Sequence, residues 1–200
     1  MTSRGGLDAS MLPSLDRQER DSLLDYGETV LRAAVTDEPL PKATPTLPAP
    51  LDRVLDARYG AFATLYTVGT LRGCIGTFAG SRTLREILPE VIRDAALADY
   101  RFDAVTPAEL PGVSLSLSIL TRARESSIDR IVLGMHGVIV EVGSKKAVFL
   151  PEVATEQRWD VETTLRMLER KADLPFGSAR RPDAKILVFE SLKVERRDAV

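Results

Sequence analysis

Residues 60–76, GAFATLYTVGTLRGCIG, carry the pattern of a β-hairpin, and the rest of the chain is interpreted around them. Two runs, 60–67 and 70–75, are rich in β-branched, aromatic and aliphatic residues, which favour strands. Val68-Gly69 lies between them, and glycine suits a tight turn. The stretch therefore predicts two antiparallel strands joined by a short turn.

Side chains of the second strand are expected to alternate between its two faces. Leu71, Gly73 and Ile75 then share one face, and we expect the apolar pair to pack on the core. Arg72 and Cys74 share the other face, where a guanidinium beside a thiol favours the reactive thiolate. The alternative is a structural cysteine in a glycine-rich bend, because free cysteines are commonly buried and inert.

The rest of the chain alternates between helical and strand patterns. Apolar residues recur at helical spacing in some segments and alternate with polar residues in others. The expected elements are helices within 15–35, 81–100 and 158–172, strands at 112–120 and 184–196, and a second hairpin within 136–151. Hairpins mixed with helices favour an α+β fold with a mainly antiparallel sheet and flanking helices.

The helix that follows the first hairpin has a clear start. Thr83 and Glu86 have the spacing of a capping box, and free amides at a helix start favour anions. Pro89 is expected to kink this helix or end its first segment. The apolar residues expected to share one core are Leu84, Ile87, Leu88, Val91, Ile92, Leu115, Leu117 and Ile119.

A chain of 200 residues favours a single domain, which we expect over 15–195. Residues 1–14 are expected to be a flexible N-terminus and 196–200 a C-terminal tail. The proline-rich segment at about 37–50 is expected to be a surface connector, because prolines at that density continue neither a helix nor a central strand.

Composition excludes several functional classes. A net charge of −2 gives no electrostatic case for nucleic acid or a membrane surface, and no apolar run is long enough to span a bilayer. One cysteine and no evident signal peptide favour a cytoplasmic protein. One cysteine and one histidine are too few for a zinc site, and no P-loop, GxGxxG or HExxH motif is present, so we expect no metal and no cofactor.

Three further residues are candidates for a site. Arg101 and Glu109 lie in a polar segment before the serine-striped strand, which is either a loop facing a substrate or a packed connector. His136, the only histidine, stands at the start of the second hairpin, where we expect it to be exposed. A catalytic dyad of His136 with Cys74 is not expected.

Several short motifs occur in an order typical of one known family. The octapeptide LRGCIGTF at 71–78 is the most specific of them. The supporting pieces are RF at 101–102, EL at 109–110, the serine-striped strand, FLPEV at 149–153, Trp159 and Lys171. Over roughly residues 15–195 the chain resembles the AMMECR domain family, also called AmmeMemoRadiSam system protein A. It departs from the usual family pattern at Tyr100, normally proline, at Asp173, normally glycine, and in lacking a tryptophan shortly after that point.

The resemblance implies a fold, a setting and a site. The fold has two unequal lobes that form a cleft, with the octapeptide at or near it. The setting is an association with a Memo-like protein and a radical SAM protein in bacteria and archaea, without a settled reaction. Five residues match the family motif, namely Arg72, Gly73, Cys74, Gly76 and Thr77.

Two functional hypotheses follow. In the first, the protein is an enzyme that acts on a small anionic or carbonyl-bearing substrate, with Cys74 as the catalytic group. The residues expected to bind that substrate are Arg72, Gly73, Gly76, Thr77, Arg101 and Glu109. In the second, the protein is a non-catalytic accessory or binding module for the Memo-like or radical SAM partner. The small number of titratable groups near the octapeptide favours the second hypothesis.

Overall fold

The computed structural model describes residues 9–41 and 51–196, and the chain divides into two compact units. Unit 1 comprises Met1–Arg122 with Leu192–Val200, and unit 2 comprises Ala123–Ser191. Residues 1–8 of the expected N-terminal tail, 197–200 of the expected C-terminal tail and 42–50 of the proline-rich connector lie outside the described residues. The single-domain boundaries and the cleft stay predictions.

Unit 1 is an antiparallel sheet with helices. Its strands are β1 (Gly60–Thr67), β2 (Thr70–Thr77) and β3 (Val113–Leu120), and its helices are α1 (Arg17–Val35), α2 (Asp52–Leu55) and α3 (Leu84–Leu97). The strands lie in the order β2-β1-β3, followed by the end of a later strand, β7 (Ala184–Glu195). Strand β2, which carries the octapeptide, is therefore the edge strand of the sheet.

The first hairpin is confirmed, and its turn has a specific geometry. Val68 and Gly69 both have positive φ, 49° and 75°, as a two-residue hairpin turn of type I′ requires. The register shifts between Leu65 and Tyr66, so that Arg72 is an extra residue in β2. Such a bulge bends the strand and changes which face the side chains before it occupy.

This bulge corrects one expectation. Leu71 pairs with Tyr66, whereas Cys74 pairs with Thr64, so Leu71 lies on the same face as Cys74. Leu71 is 38% exposed, and the prediction that it packs on the core is wrong. Ile75 does pack against the core of unit 1.

Helix α3 runs through Pro89 without ending, so the expectation that its first segment ends there is wrong, whereas the kink stays a prediction. Its apolar stripe is buried against the sheet, and that burial outweighs the local cost of one proline. The expected core is confirmed, since all eight of its residues belong to the core of unit 1.

Unit 2 is built on a second group of antiparallel strands. They are β4 (Arg124–Ser126), β5 (His136–Val142), β6 (Lys145–Phe149) and the first part of β7, in the order β4-β7-β5-β6. Its helices are α4 (Pro151–Glu156), where no helix was predicted, and α5 (Val161–Lys171). The Asp160 carboxylate accepts a hydrogen bond from the Thr163 amide at 2.7 Å, which caps α5. The α+β class with a mainly antiparallel sheet and flanking helices is confirmed.

His136 opens β5 but is buried, so its expected exposure is wrong. Its Nδ1 atom accepts a hydrogen bond from the Val132 amide at 3.1 Å. The ring thus satisfies a backbone donor of the preceding turn, and this is a structural role.

Candidate functional site

The free edge of β2 is closed at Cys74 by two side chains from the segment after α3. The Cys74 amide donates to Asp99 Oδ2 at 2.8 Å, and Arg101 Nη2 donates to the Cys74 carbonyl at 3.1 Å. An edge strand otherwise leaves such groups unpaired and open to other chains. Asp99 and Arg101 therefore take the place of a neighbouring strand at this one residue.

Asp99 and Arg101 also bind each other. Arg101 donates to the two Asp99 oxygens, from Nε at 2.9 Å and from Nη2 at 2.6 Å. The Asp99 side chain is only 2% exposed. The hydrogen bond from Arg101 lowers the pKa of Asp99 well below its ordinary range, and the Cys74 amide adds to this effect, although burial opposes it. The same pairing raises the pKa of Arg101.

The Cys74 thiol lies on the opposite face from α3 among small polar side chains. Its Sγ is 3.3 Å from Thr64 Oγ1. Thr64 pairs directly with Cys74 on one side and with Ser116 on the other, so the three side chains form one row across three strands. Thr64 is the only hydrogen-bond partner of the thiol in the part of the chain that the structure describes.

Arg72 binds the loop that follows Arg101 rather than the thiol. Nε donates to Glu109 Oε1 at 2.9 Å, Nη1 to the Asp103 carbonyl at 2.8 Å, and Nη2 to the Ala104 carbonyl at 3.3 Å. All three guanidinium nitrogens are thus used, and the side chain is 16% exposed. Arg72 therefore holds this loop against strand β2, and it is here called the clamp of the loop.

Glu109 completes that clamp. Its Oε2 accepts hydrogen bonds from the Thr106 amide and hydroxyl, both at 2.8 Å. The hydrogen bond from Arg72 is the largest cause that lowers the pKa of Glu109, and the two Thr106 donors add to it, so that the pKa is about 2. Glu109 is therefore a carboxylate at neutral pH, and it is engaged within its own loop.

The octapeptide glycines are explained by packing. A Cβ on Gly73 would lie 2.1 Å from the Ala95 carbonyl oxygen of α3. A Cβ on Gly76 would lie 2.2 Å from the Phe62 ring. Both positions need glycine because another part of the fold occupies the space of a side chain.

Two cavities flank the β2 edge within unit 1. The first, here called the arginine cavity, has a volume of about 530 Å³ and is lined by Arg72, Tyr100, Arg101, Phe102, Asp103 and Glu109. The second, here called the Gly76 cavity, has a volume of about 360 Å³ and lies between β2 and α3. Gly76 and Thr77 line the second cavity, whereas Gly73 and Cys74 line neither.

Five of the seven predicted site residues therefore lie at the two cavities. The structure brings Arg72, Arg101 and Glu109 together at the arginine cavity, and it places Gly76 and Thr77 at the other. Sequence reasoning missed Asp99 and Thr64. The one signal for Asp99 was an acidic residue two positions before an arginine at the end of a predicted helix.

The start of α3 carries the predicted capping residues. Glu86 Oε2 accepts from the Thr83 amide at 2.7 Å and from the Thr83 hydroxyl at 2.9 Å, which confirms the predicted pairing. Over residues 9–41 and 51–196, no three His, Cys, Asp or Glu side chains come together as metal ligands would. None of the helices described there has the length and apolar character needed to cross a membrane.

Comparison with known proteins gives the family. The AMMECR1 profile matches residues 24–194. A protein of Methanothermobacter thermautotrophicus is 33% identical over 177 residues, covering 84% of this chain and 92% of the relative. Protein TV1384 of Thermoplasma volcanium is 33% identical over 193 residues, covering 89% and 93%. The crystal structure of uncharacterized protein PH0010 from Pyrococcus horikoshii has a TM-score of 0.77 at 26% identity, covering 90% of this chain and 91% of that one. The family expected from the octapeptide is confirmed, and this chain belongs to the AMMECR1 family.

Proposed function

We propose that the protein is a non-catalytic recognition module that binds an acidic or carbonyl group of a partner protein in the arginine cavity. The observation that carries this proposal is the hydrogen bonding of the Arg101 guanidinium. Its Nε and Nη2 atoms bind Asp99 and Cys74, but its Nη1 atom has no partner among the described residues. Guanidinium donors that remain open in a cavity recognise carboxylate and carbonyl oxygens.

The aromatic residues beside Arg101 support a protein partner. Tyr100 is 94% exposed at the cavity, and Arg101 lies 5.5 Å from the centre of the Phe102 ring. Tyrosine and arginine are the residue types that most often dominate binding at protein interfaces. An exposed tyrosine beside a positioned arginine is therefore a suitable anchor.

The charges around the octapeptide support binding over catalysis. Asp99 is paired with Arg101, and Glu109 is paired with Arg72. Both carboxylates have lowered pKa values, so neither is suited to act as a general base near neutral pH. The partners that the family resemblance implies are a Memo-like protein and a radical SAM protein.

The test is calorimetric titration of the purified chain with the Memo-like and the radical SAM protein of the same organism. We expect one of them to bind and Tyr100→Ala to weaken that binding about tenfold or more. Val68→Ala is the matched control, because Val68 is equally exposed but lies at the hairpin turn. The proposal is contradicted if neither protein binds, or if Tyr100→Ala and Val68→Ala lose the same amount of affinity.

A second proposal, an enzyme that uses the Cys74 thiol on a small anionic or carbonyl-bearing substrate, rests on the contact with Thr64. The hydroxyl at 3.3 Å can hold the thiol in one orientation. Cys74 is the only cysteine, so the intact mass after iodoacetamide treatment reports this residue alone. The enzyme proposal expects labelling of the native protein and an altered rate in Thr64→Val. A thiol that is labelled only after unfolding contradicts it.

A further inference from the structure

Apart from its pairing with β1, the edge of β2 beyond Cys74 has no hydrogen-bond partner among the described residues. Because the Cys74 amide and carbonyl are bound by Asp99 and Arg101, Cys74 is a residue whose backbone groups point away from β1. Gly76 follows by two residues with no register shift between them, so its amide and carbonyl point the same way. Gly76 also lines the Gly76 cavity, so the cavity lies beside this edge of β2.

The Gly76 cavity has the amide and carbonyl of Gly76 at its edge and apolar side chains in its wall. Ile75, Ile87 and Val91 line it, and the last two are buried residues of α3. The rim carries Arg82, which is held by Glu90 at 2.6 Å. A donor and an acceptor on one strand residue match the acceptor and donor of one residue in another extended chain.

We propose that the Gly76 cavity is a docking site for a short extended segment of a protein partner, which adds to the edge of β2 as an antiparallel strand. One residue of the segment exchanges two hydrogen bonds with Gly76. The residues before and after that residue in the segment direct their side chains toward α3, because side chains alternate along a strand. Apolar residues at those positions pack against the wall formed by Ile87 and Val91.

The same geometry limits the length of the segment. At Cys74 the edge is already occupied by the Asp99 carboxylate and the Arg101 guanidinium. The added strand therefore pairs only with the end of β2 and leaves the sheet before it reaches Cys74. This site is separate from the arginine cavity and does not depend on the function proposed for it.

The proposal is tested with the capped peptide acetyl-Val-Ala-Val-amide and the ¹⁵N-labelled protein. We expect saturable shifts of the Gly76 amide resonance, while the resonance of Gly69 at the hairpin turn stays unchanged. The matched probe is the same peptide methylated on the alanine nitrogen, which keeps every side chain but removes one backbone donor. Its dissociation constant should be about 3-fold to 10-fold higher, as expected for the loss of one hydrogen bond.

A protein variant provides a second measurement. Ser81 is exposed at the rim, so Ser81→Trp should fill the cavity and raise the dissociation constant at least tenfold without lowering the melting temperature. Val68→Trp, at the exposed turn, should bind like the wild type. Equal affinity for the two peptides, or no shift of Gly76 at the highest soluble peptide concentration, overturns the proposal. The proposal is also overturned if the protein self-associates and Ser81→Trp abolishes that self-association. The occupant of the cavity would then be a second copy of the chain.

Discussion

The carboxylate of Asp99 accepts a hydrogen bond from the backbone amide of Cys74 at 2.8 Å, and so joins the segment after α3 to the edge strand. The cysteine of the octapeptide is thus fixed through its backbone by a buried charge that is itself bound to Arg101.

Replacing Asp99 with asparagine should lower the free energy of unfolding by about 2–3 kcal/mol, because hydrogen bonds to a buried charged group are lost. Asp103→Asn is the matched control. It removes a charge from the same segment, but the Asp103 side chain is exposed, and we expect a change below about 0.5 kcal/mol. Chemical denaturation measures both, and similar losses in the two variants would contradict the role given to Asp99.

Asp99 should also make stability depend on pH. The pKa of Asp99 in the folded protein lies below its ordinary value of 3.8. The stability that the ionised carboxylate contributes is therefore complete above pH 3.8, and it is lost as the pH falls through the lowered pKa. Between about pH 5 and pH 2 the wild type should therefore lose more stability than Asp99→Asn. Parallel stability curves for the two proteins would show that Asp99 does not contribute in this way.

Arg72→Ala should release the loop that Arg72 clamps. Thr106, whose amide donates to Glu109 Oε2, should then exchange its amide hydrogen about tenfold faster or more. Arg93→Ala is the control, because Arg93 forms an exposed ion pair with its neighbour Asp94 on α3. Unchanged exchange at Thr106 in Arg72→Ala would mean that the loop is held by other contacts.

Gly73→Ala should destabilise the protein by more than about 2 kcal/mol, because the added methyl group meets the Ala95 carbonyl and the backbone must move. Gly112→Ala offers a matched comparison, since a Cβ there meets no atom within 4 Å. We expect that variant to be near neutral. The melting temperature of each variant decides the question, and a tolerated Gly73→Ala would contradict the close contact between α3 and β2.

Leu117→Ala should cost about 2–5 kcal/mol, because Leu117 is fully buried in the core of unit 1. Leu71→Ala removes the same atoms from the half-exposed position before the bulge, and should cost less than about 0.5 kcal/mol. A loss below about 0.5 kcal/mol for Leu117→Ala would show that this face of β3 is not packed.

The sequence by itself determined the elements whose signals are local. The turn at Val68-Gly69, the pairing of Thr83 with Glu86 and the cap at Asp160 all depend on residues within a few positions of each other. The serine stripe of β3 likewise separated a buried apolar face from a polar one, because side chains alternate along a strand. The octapeptide was specific enough to give the family.

Only the tertiary structure decided which side chains meet at the octapeptide. The bulge at Arg72 is a register shift, and registers depend on the partner strand, so the face occupied by Leu71 was assigned wrongly. The contacts of Arg72 with Glu109, of Cys74 with Asp99, and of Gly73 with Ala95 join residues 22 to 37 positions apart. Nothing in local sequence specifies such pairs, because they form only when α3 packs on β2 and brings the following loop to the edge of the sheet. Arg72 is the extra residue of the bulge, and its guanidinium binds this loop rather than the thiol.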